Sequence, residues 1–233
     1  MKAAIMQPYI FPYIGYFQLI NAVDHFMFYD DVNFIKRGWI NRNRILLNGK
    51  DALITVPLIK ASQNKLINEI DLFFDQKMKD SLILKIECAY SKAPYYNEVK
   101  SLIKEIINAD ITNISEYAAN SIISVSNYLE IDTTFSFSSR ISPESKGMHK
   151  ADRLIYICKD LEADQYINSI GGQVLYEKEY FQSKGIHLSF LDSHSEPYSQ
   201  FNIDFVSNLS IIDILMFNKK TVVKDMLNKY KLI

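Results

Sequence analysis

Cysteine, glycine and proline are scarce in this chain of 233 residues, at 2, 7 and 6. Cys88 and Cys158 lie far apart in helical patterns, with no C-x-x-C spacing and no close histidine partner. That argues against a disulfide framework and against a cysteine-based metal site. Both are expected to be buried and reduced, as in the cytosol. Sparse glycine and proline also leave no low-complexity linker, and there is no internal repeat. Charge of one sign is missing too: 26 basic residues balance 27 acidic ones, for a net charge of −1. No overall field draws the chain to genomic nucleic acid or an anionic membrane, although a local basic cluster can still hold phosphate. No uncharged apolar stretch approaches the ~18 residues of a membrane span. The apolar run before Gln7-Pro8 is too short for a signal peptide, and a cytoplasmic location is expected. The G-x-x-x-x-G-K-[ST], G-x-G-x-x-G and H-E-x-x-H motifs are absent as well. This argues against a P-loop NTPase, a dinucleotide dehydrogenase of the usual kind and a zinc protease.

What is present is an ordinary globular composition, 48% hydrophobic and 23% charged, which suffices for a full core. Lys2–Met6 reads as a buried strand ended by Pro8, Tyr13–Ala22 as a helix, and Phe26–Tyr29 as a second strand. Asn48-Gly49 between two apolar runs signals a hairpin, because Asn-Gly accepts the positive φ of a type I′ turn. Glu69–Phe73 reads as another strand. From Asp75 to about Glu130 the period becomes helical, in three segments. Thr134–Phe137 returns to strand, and Ser136–Ser145 reads as a mobile loop. Ala151–Leu161 follows as helix, Gln165–Asn168 as strand, Gly171-Gly172 as loop, Tyr176–Lys184 as helix and Ile186–Leu191 as strand. Leu209–Phe217 and Thr221–Lys229 close the chain as helices, with the terminal lysines on a wet face. The expectation is an α/β fold: a mainly parallel, Rossmann-like sheet with helices on both faces, an antiparallel hairpin near 45–56 and a helical segment near 75–130, all in one domain spanning residues 1–233.

Ligands of open α/β sheets bind beyond the carboxyl ends of strands. The loop Gln7-Pro8-Tyr9-Ile10-Phe11-Pro12-Tyr13-Ile14-Gly15-Tyr16 occupies that position and is rich in aromatics, which offer stacking faces and hydroxyls. Phe11 and Phe17 read as core, whereas Tyr13 and Tyr16 are equally compatible with core or site. Lys36-Arg37-Gly38-Trp39-Ile40-Asn41-Arg42-Asn43-Arg44 places four cations around the only tryptophan, without a carboxylate. Arginine forks bind phosphate or carboxylate oxygens, and Trp39 can stack on a base or sugar. A solvated connector is the plainer alternative. Asp30-Asp31 ends a strand and suits a ribose hydroxyl, a metal, a substrate amine or a simple turn. Gly171-Gly172 lines the same cleft or merely turns. His25, His149, His187 and His194 show no ligand spacing, and no metal site is expected.

Three segments together resemble the WbqC-like family of bacterial proteins: Ala4-Ile5-Met6-Gln7-Pro8-Tyr9 through Phe17, Tyr29-Asp30-Asp31 through Arg44, and Leu209-Ser210-Ile211-Ile212-Asp213. Arg153-Leu154-Ile155 and Gly171-Gly172 to Tyr176 also match. The family is associated with O-antigen and other surface polysaccharides, and some members transfer glycine onto an amino sugar. The resemblance thus implies a transferase acting on a nucleotide-linked amino sugar in the cytoplasm. Tyr13-Ile14-Gly15-Tyr16 at a helix start is also similar to the H-x-G-H region of nucleotidylyltransferase folds. Tyrosines replace both histidines, so the imidazoles that nucleotidyl transfer needs are missing.

On this reading Arg37, Arg42 and Arg44, with Lys36, grip a diphosphate or acyl-donor anion, while Trp39 and Tyr13 frame a base or sugar and Gln7, Tyr9, Gly171 and Gly172 line the remainder. Asp30 or Asp31 would orient the amine and take its proton, and Tyr16, Asn41 or a backbone N–H would stabilise an oxyanion. No cofactor is fixed by the sequence; ATP or an activated aminoacyl donor would supply the group. The partner is a small-molecule nucleotide-sugar, and homo-oligomerisation is left open. Two alternatives are a non-catalytic module that binds a nucleotide or glycan precursor beside a glycosyltransferase, and an assembly protein with Trp39 in an interface.

Overall fold

The computed structural model describes residues 1–201 and 203–233. The chain runs β1 (Lys2–Met6), α1 (Ile14–Asn21), β2 (His25–Phe28), β3 (Arg42–Leu47), β4 (Lys50–Thr55), α2 (Gln76–Tyr90), α3 (Tyr96–Asn108), α4 (Ile114–Tyr128), β5 (Thr134–Phe137), α5 (Ser138–Ile141), α6 (Lys150–Asp160), β6 (Gln165–Ser169), α7 (Lys178–Ser183), β7 (His187–Ser193), α8 (Ile211–Phe217), α9 (Lys220–Met226) and β8 (Tyr230–Leu232). The main sheet has the order β5-β2-β1-β6-β7-β8. Its first five strands are parallel and β8 is antiparallel to β7. The chain builds outward from β1 to β2 and β5, then crosses to β6 and β7. The switch of direction lies between β1 and β6, the position at which doubly wound sheets open a crevice.

Both faces of the sheet are covered. Along β1, Ala4 packs into a core shared with α1, α3, α4 and α8, while Ala3 and Ile5 pack into a second core with α6 and Phe181 of α7. Phe26 and Phe28 of β2 join the first core and Met27 the second, the period-two alternation of a strand buried on both sides. The hairpin pairs Arg42–Leu47 with Lys50–Thr55. Its turn residues Asn48 and Gly49 sit at φ of 51° and 75°, as a type I′ turn requires. The helices α2, α3 and α4 occupy the expected helical stretch.

Four expectations are corrected. Glu69–Phe73 is not a strand: Ile67–Glu69 form a 3-10 turn, and only isolated bridges at Asp71 and Leu72 follow. Ser136–Ser145 is not a mobile loop. It completes β5, forms α5 and a 3-10 turn at Pro143–Ser145, and buries Ser138, Ser142 and Ser145. The last helix stops at Met226, so Lys231 belongs to β8 instead of a helical face. Cys88 is exposed, whereas Cys158 is buried. The Gly171-Gly172 loop is a 3-10 turn spanning Ile170–Val174.

Candidate functional site

The loop after β1 is held from several sides. Phe11, fully buried, adopts φ 42°, a left-handed conformation unusual for a bulky residue. Its N–H donates to Ser121 Oγ (3.1 Å), and its carbonyl accepts from Asn43 Nδ2 (2.7 Å) and Ser210 Oγ (2.8 Å). Asn43 Nδ2 also donates to the Ile10 carbonyl (3.0 Å), and the Ile211 N–H to that of Pro12 (2.9 Å). Strain at this position persists because α4, β3 and the start of α8 all fix it.

Two clefts open on either side of this loop. The first, about 340 Å³, is lined by Tyr9, Pro12, Tyr13, Trp39, Asn43, Arg44 and Asn208. The second, about 320 Å³, lies where β1 and β6 part: Tyr9 and Gln7 meet Tyr29, Asn168, Ser169, Gly171 and Gly172 there. The β1–β6 ladder pairs only Lys2–Ala3 with Gln165–Tyr166, while β1–β2 pairing continues to Met6 and β6–β7 pairing to Ser169. Tyr9 is the wall common to both clefts.

In the first cleft the guanidinium carbons of Arg42 and Arg44 lie 5.8 and 5.6 Å from the Trp39 ring centroid, within cation–π range. Arg42 is committed to its own loop, donating from Nε to the Gly38 carbonyl (2.9 Å) and from Nη2 to the Arg37 carbonyl. Arg44 is only partly committed. Its Nη1 lies 3.4 Å from Asp51 and its Nη2 donates to the Asn208 carbonyl (3.2 Å), but its buried Nε has no partner among the described residues. An unpaired charged donor in a cleft wall is a strong attractor for an anionic oxygen. Burial raises the Tyr9 and Tyr13 hydroxyls above their ordinary pKa, with Tyr13 adding to the effect on Tyr9. Both hydroxyls are therefore neutral at neutral pH and available to donate a hydrogen bond.

Asp30, Asp31 and Tyr16 lie beneath the clefts, not in them. Tyr16 is buried and donates to the Gln7 carbonyl (2.8 Å). Asp30 accepts from the Ser139 N–H (3.1 Å), Ser139 Oγ (2.7 Å) and Ser138 Oγ (3.2 Å). Asp31 takes the Ser138 hydroxyl (2.5 Å) and forms a buried ion pair with Arg153 Nη2 (2.5 Å). The Arg153 guanidinium in turn lies 4.6 Å from the centre of the Tyr29 ring. Burial pushes the Tyr29 hydroxyl up to about 12, against the opposing pull of Arg153. Lys36 and Arg37 are exposed and line neither cleft, and Asn41 bonds to Val56 through its side chain. Of the residues singled out from sequence, the structure thus gathers Tyr9, Tyr13, Trp39 and Arg44 in one cleft, and Gln7, Tyr9, Gly171 and Gly172 in the other.

Sequence reasoning missed Asn208, Asn43, Asn168, Tyr29 and Tyr176 as wall residues, and Arg153 with Ser138 and Ser139 as partners of the acids. Asn168 stands near the carboxyl end of β6 much as Gln7 follows β1, a positional signal that was available.

Fold and clefts define a doubly wound α/β protein with paired clefts at the carboxyl edge of its sheet, and no described helix is long and apolar enough to cross a membrane. The WbqC-like protein family matches residues 7–225, and the chain belongs to that family. It is similar to the uncharacterized protein Rv1507c of Mycobacterium tuberculosis (strain ATCC 25618 / H37Rv), at 28% identity over 226 residues and 92% of each chain. No solved structure matches it significantly.

Proposed function

We propose that the protein is a transferase of surface-polysaccharide biosynthesis, O-antigen included, that binds a nucleotide-linked amino sugar and places an amino acid such as glycine, or another acyl group, on its amine. The observation supporting this reading is the first cleft: an aromatic platform at Trp39 beside Arg44, whose buried Nε lacks a partner. A platform next to an unpaired guanidinium suits a ring joined to a phosphate. In the reaction the amine lone pair attacks the activated carbonyl, and the leaving group departs with its bonding pair. The amine proton follows to the leaving group or to water. ATP or an activated aminoacyl donor would supply the acyl group. The neutral Tyr9 and Tyr13 hydroxyls and Arg44 can hold the reactants together and stabilise an oxyanion, a contribution dominated by positioning. Asp30 and Asp31 are assigned to the frame that carries Tyr29.

One feature favours a second reading, a non-catalytic binding module: Arg44 is the one charged side chain lining the two clefts among the described residues, so no carboxylate or imidazole serves as a base. The same experiment separates the two. Trp39 is the only tryptophan, so its fluorescence reports occupancy of the first cleft. Inorganic pyrophosphate and nucleotide-linked amino sugars should quench or shift it, and Arg44→Ala should weaken them at least about tenfold. A mass increase on the sugar with an activated glycine donor supports transfer; binding without it supports the module. An unaltered response in Arg44→Ala refutes both.

A further inference from the structure

The second cleft differs in chemistry from the first. Among the described residues no charged side chain lines it, and Arg153, which packs on its Tyr29 wall, is neutralised by Asp31 in a buried pair. Tyr9, Tyr29 and Tyr176 line it together with the amides of Gln7 and Asn168 and apolar side chains such as Leu154. Asn168 is 6% exposed. Its Oδ1 accepts the Ser169 N–H (2.8 Å), but its Nδ2 has no acceptor among the described residues. That orientation depends on Gly172, where an added Cβ would stand 2.5 Å from Nδ2. The Gln7 amide likewise makes no side-chain hydrogen bond among the described residues. An amide donor left open on a cleft wall is available to an acceptor from outside the chain.

We infer that this cleft, at the switch point between β1 and β6, is a compartment for an uncharged nucleoside, whose base stacks on tyrosine and takes hydrogen bonds from the Asn168 and Gln7 amides. Flat aromatic walls and in-plane amide groups match a heteroaromatic ring with its own donors and acceptors, and the missing cations disfavour a free anion. A volume of about 320 Å³ is at the small end of ligand sites, of roughly 300–1,000 Å³. Because Tyr9 borders both clefts, phosphates attached to that nucleoside pass beside it toward Arg44. The inference rests on the reading that the first cleft holds phosphate, and it assigns Gly171 and Gly172 to a neutral group and not to an anion.

Gly171 supplies a clean test. A Cβ built there meets no atom within 4 Å and its φ is not left-handed, so Gly171→Leu adds a side chain in open space without a clash. Binding of adenosine, guanosine, cytidine and uridine is measured by calorimetry, and that of inorganic pyrophosphate by Trp39 fluorescence, for wild type, Gly171→Leu, Asn168→Ala and Arg44→Ala. At least one nucleoside should bind wild type and Arg44→Ala alike. It should bind Gly171→Leu and Asn168→Ala at least about tenfold more weakly, while both of these retain pyrophosphate affinity. Should Gly171→Leu fail to fold, Asn168→Ala carries the same comparison. No nucleoside binding to wild type, or binding undiminished by both variants, overturns the inference. A nucleoside response without any pyrophosphate response overturns the phosphate reading of the first cleft and leaves the nucleoside compartment standing.

Discussion

Replacing Arg153 with methionine removes the cation from a pair whose side chains are 6% and 4% exposed, keeping most of the side-chain bulk. The loss leaves Asp31 desolvated without a counter-charge, beside Asp30, which shares the Ser138 hydroxyl. Breaking a buried pair from one side costs about 3–5 kcal/mol, because the stranded charge and not the missing bond dominates. Loss of the stacking on Tyr29 and of the donation to Ser145 Oγ (3.1 Å) adds to this. A domain of this size shifts by about 2–4 °C per kcal/mol, so the midpoint should fall by about 6–20 °C. Urea denaturation should give the same loss at unchanged slope. The double variant Asp31→Asn with Arg153→Met should recover at least half of it, since no buried charge is then left unpaired. A single variant costing less than about 1 kcal/mol, or a double variant no better than the single, would refute the claim that a desolvated ion pair holds this wall.

Gly15→Ala places a methyl 2.4 Å from Tyr13 Cε2 and 2.6 Å from Ser193 Oγ; it should cost about 1–3 kcal/mol and, by displacing Tyr13, weaken pyrophosphate binding read by Trp39 fluorescence. Asp213 accepts from Tyr90 (2.8 Å), Tyr198 (2.6 Å) and Gln200 (2.6 Å) with no cation in the group, and burial raises its pKa against the opposing pull of those bonds. A carboxyl raised in the folded state binds its proton more tightly there, so its stabilising contribution is full at low pH and declines as pH rises from its ordinary value near 3.8 through the folded one. The stability difference between wild type and Asp213→Asn should therefore move against the wild type over that window; a slope of the opposite sign falsifies the assignment. Of the two thiols, exposed Cys88 should react with Ellman's reagent at once. Cys158, raised to about 12 by burial, should react only on unfolding; rapid labelling of both would show the second core to be open.

Elements whose signal is local were legible. Lys2–Met6 is a short, mostly apolar run and Thr134–Phe137 alternates hydroxyl and aromatic residues, and both are strands over those residues. The Asn48-Gly49 turn is visible because one backbone conformation needs one dipeptide type. Tyr230–Leu232 was not legible, since three residues with one lysine inside and one before them carry no period; its pairing with β7 is supplied by Leu191–Ser193. The serine segment failed for a deeper reason. Ser138 and Ser139 have no apolar pattern, and they are ordered by carboxylates more than 100 residues earlier.

The same limit explains what happened to the site. Trp39 and Arg44 stand five residues apart, so their proximity could be read directly, as could the aromatic loop after β1. Sequence also marks Asp30-Asp31 as an acidic pair at a strand end, but it cannot say whether such a pair faces water or is desolvated. That choice is made by Ser138, Ser139 and Arg153, which α5 and α6 deliver to the end of β2. Once desolvated and paired, the acids become a rigid footing: Arg153 stacks on Tyr29, and Tyr29 lines the nucleoside compartment. Each arginine can then be distinguished by what its removal disturbs. Loss of Arg44 should change anion binding with little change in stability, because its Nε is unpaired and its remaining contacts are long. Loss of Arg153 should change stability first, and nucleoside affinity only through the wall it supports.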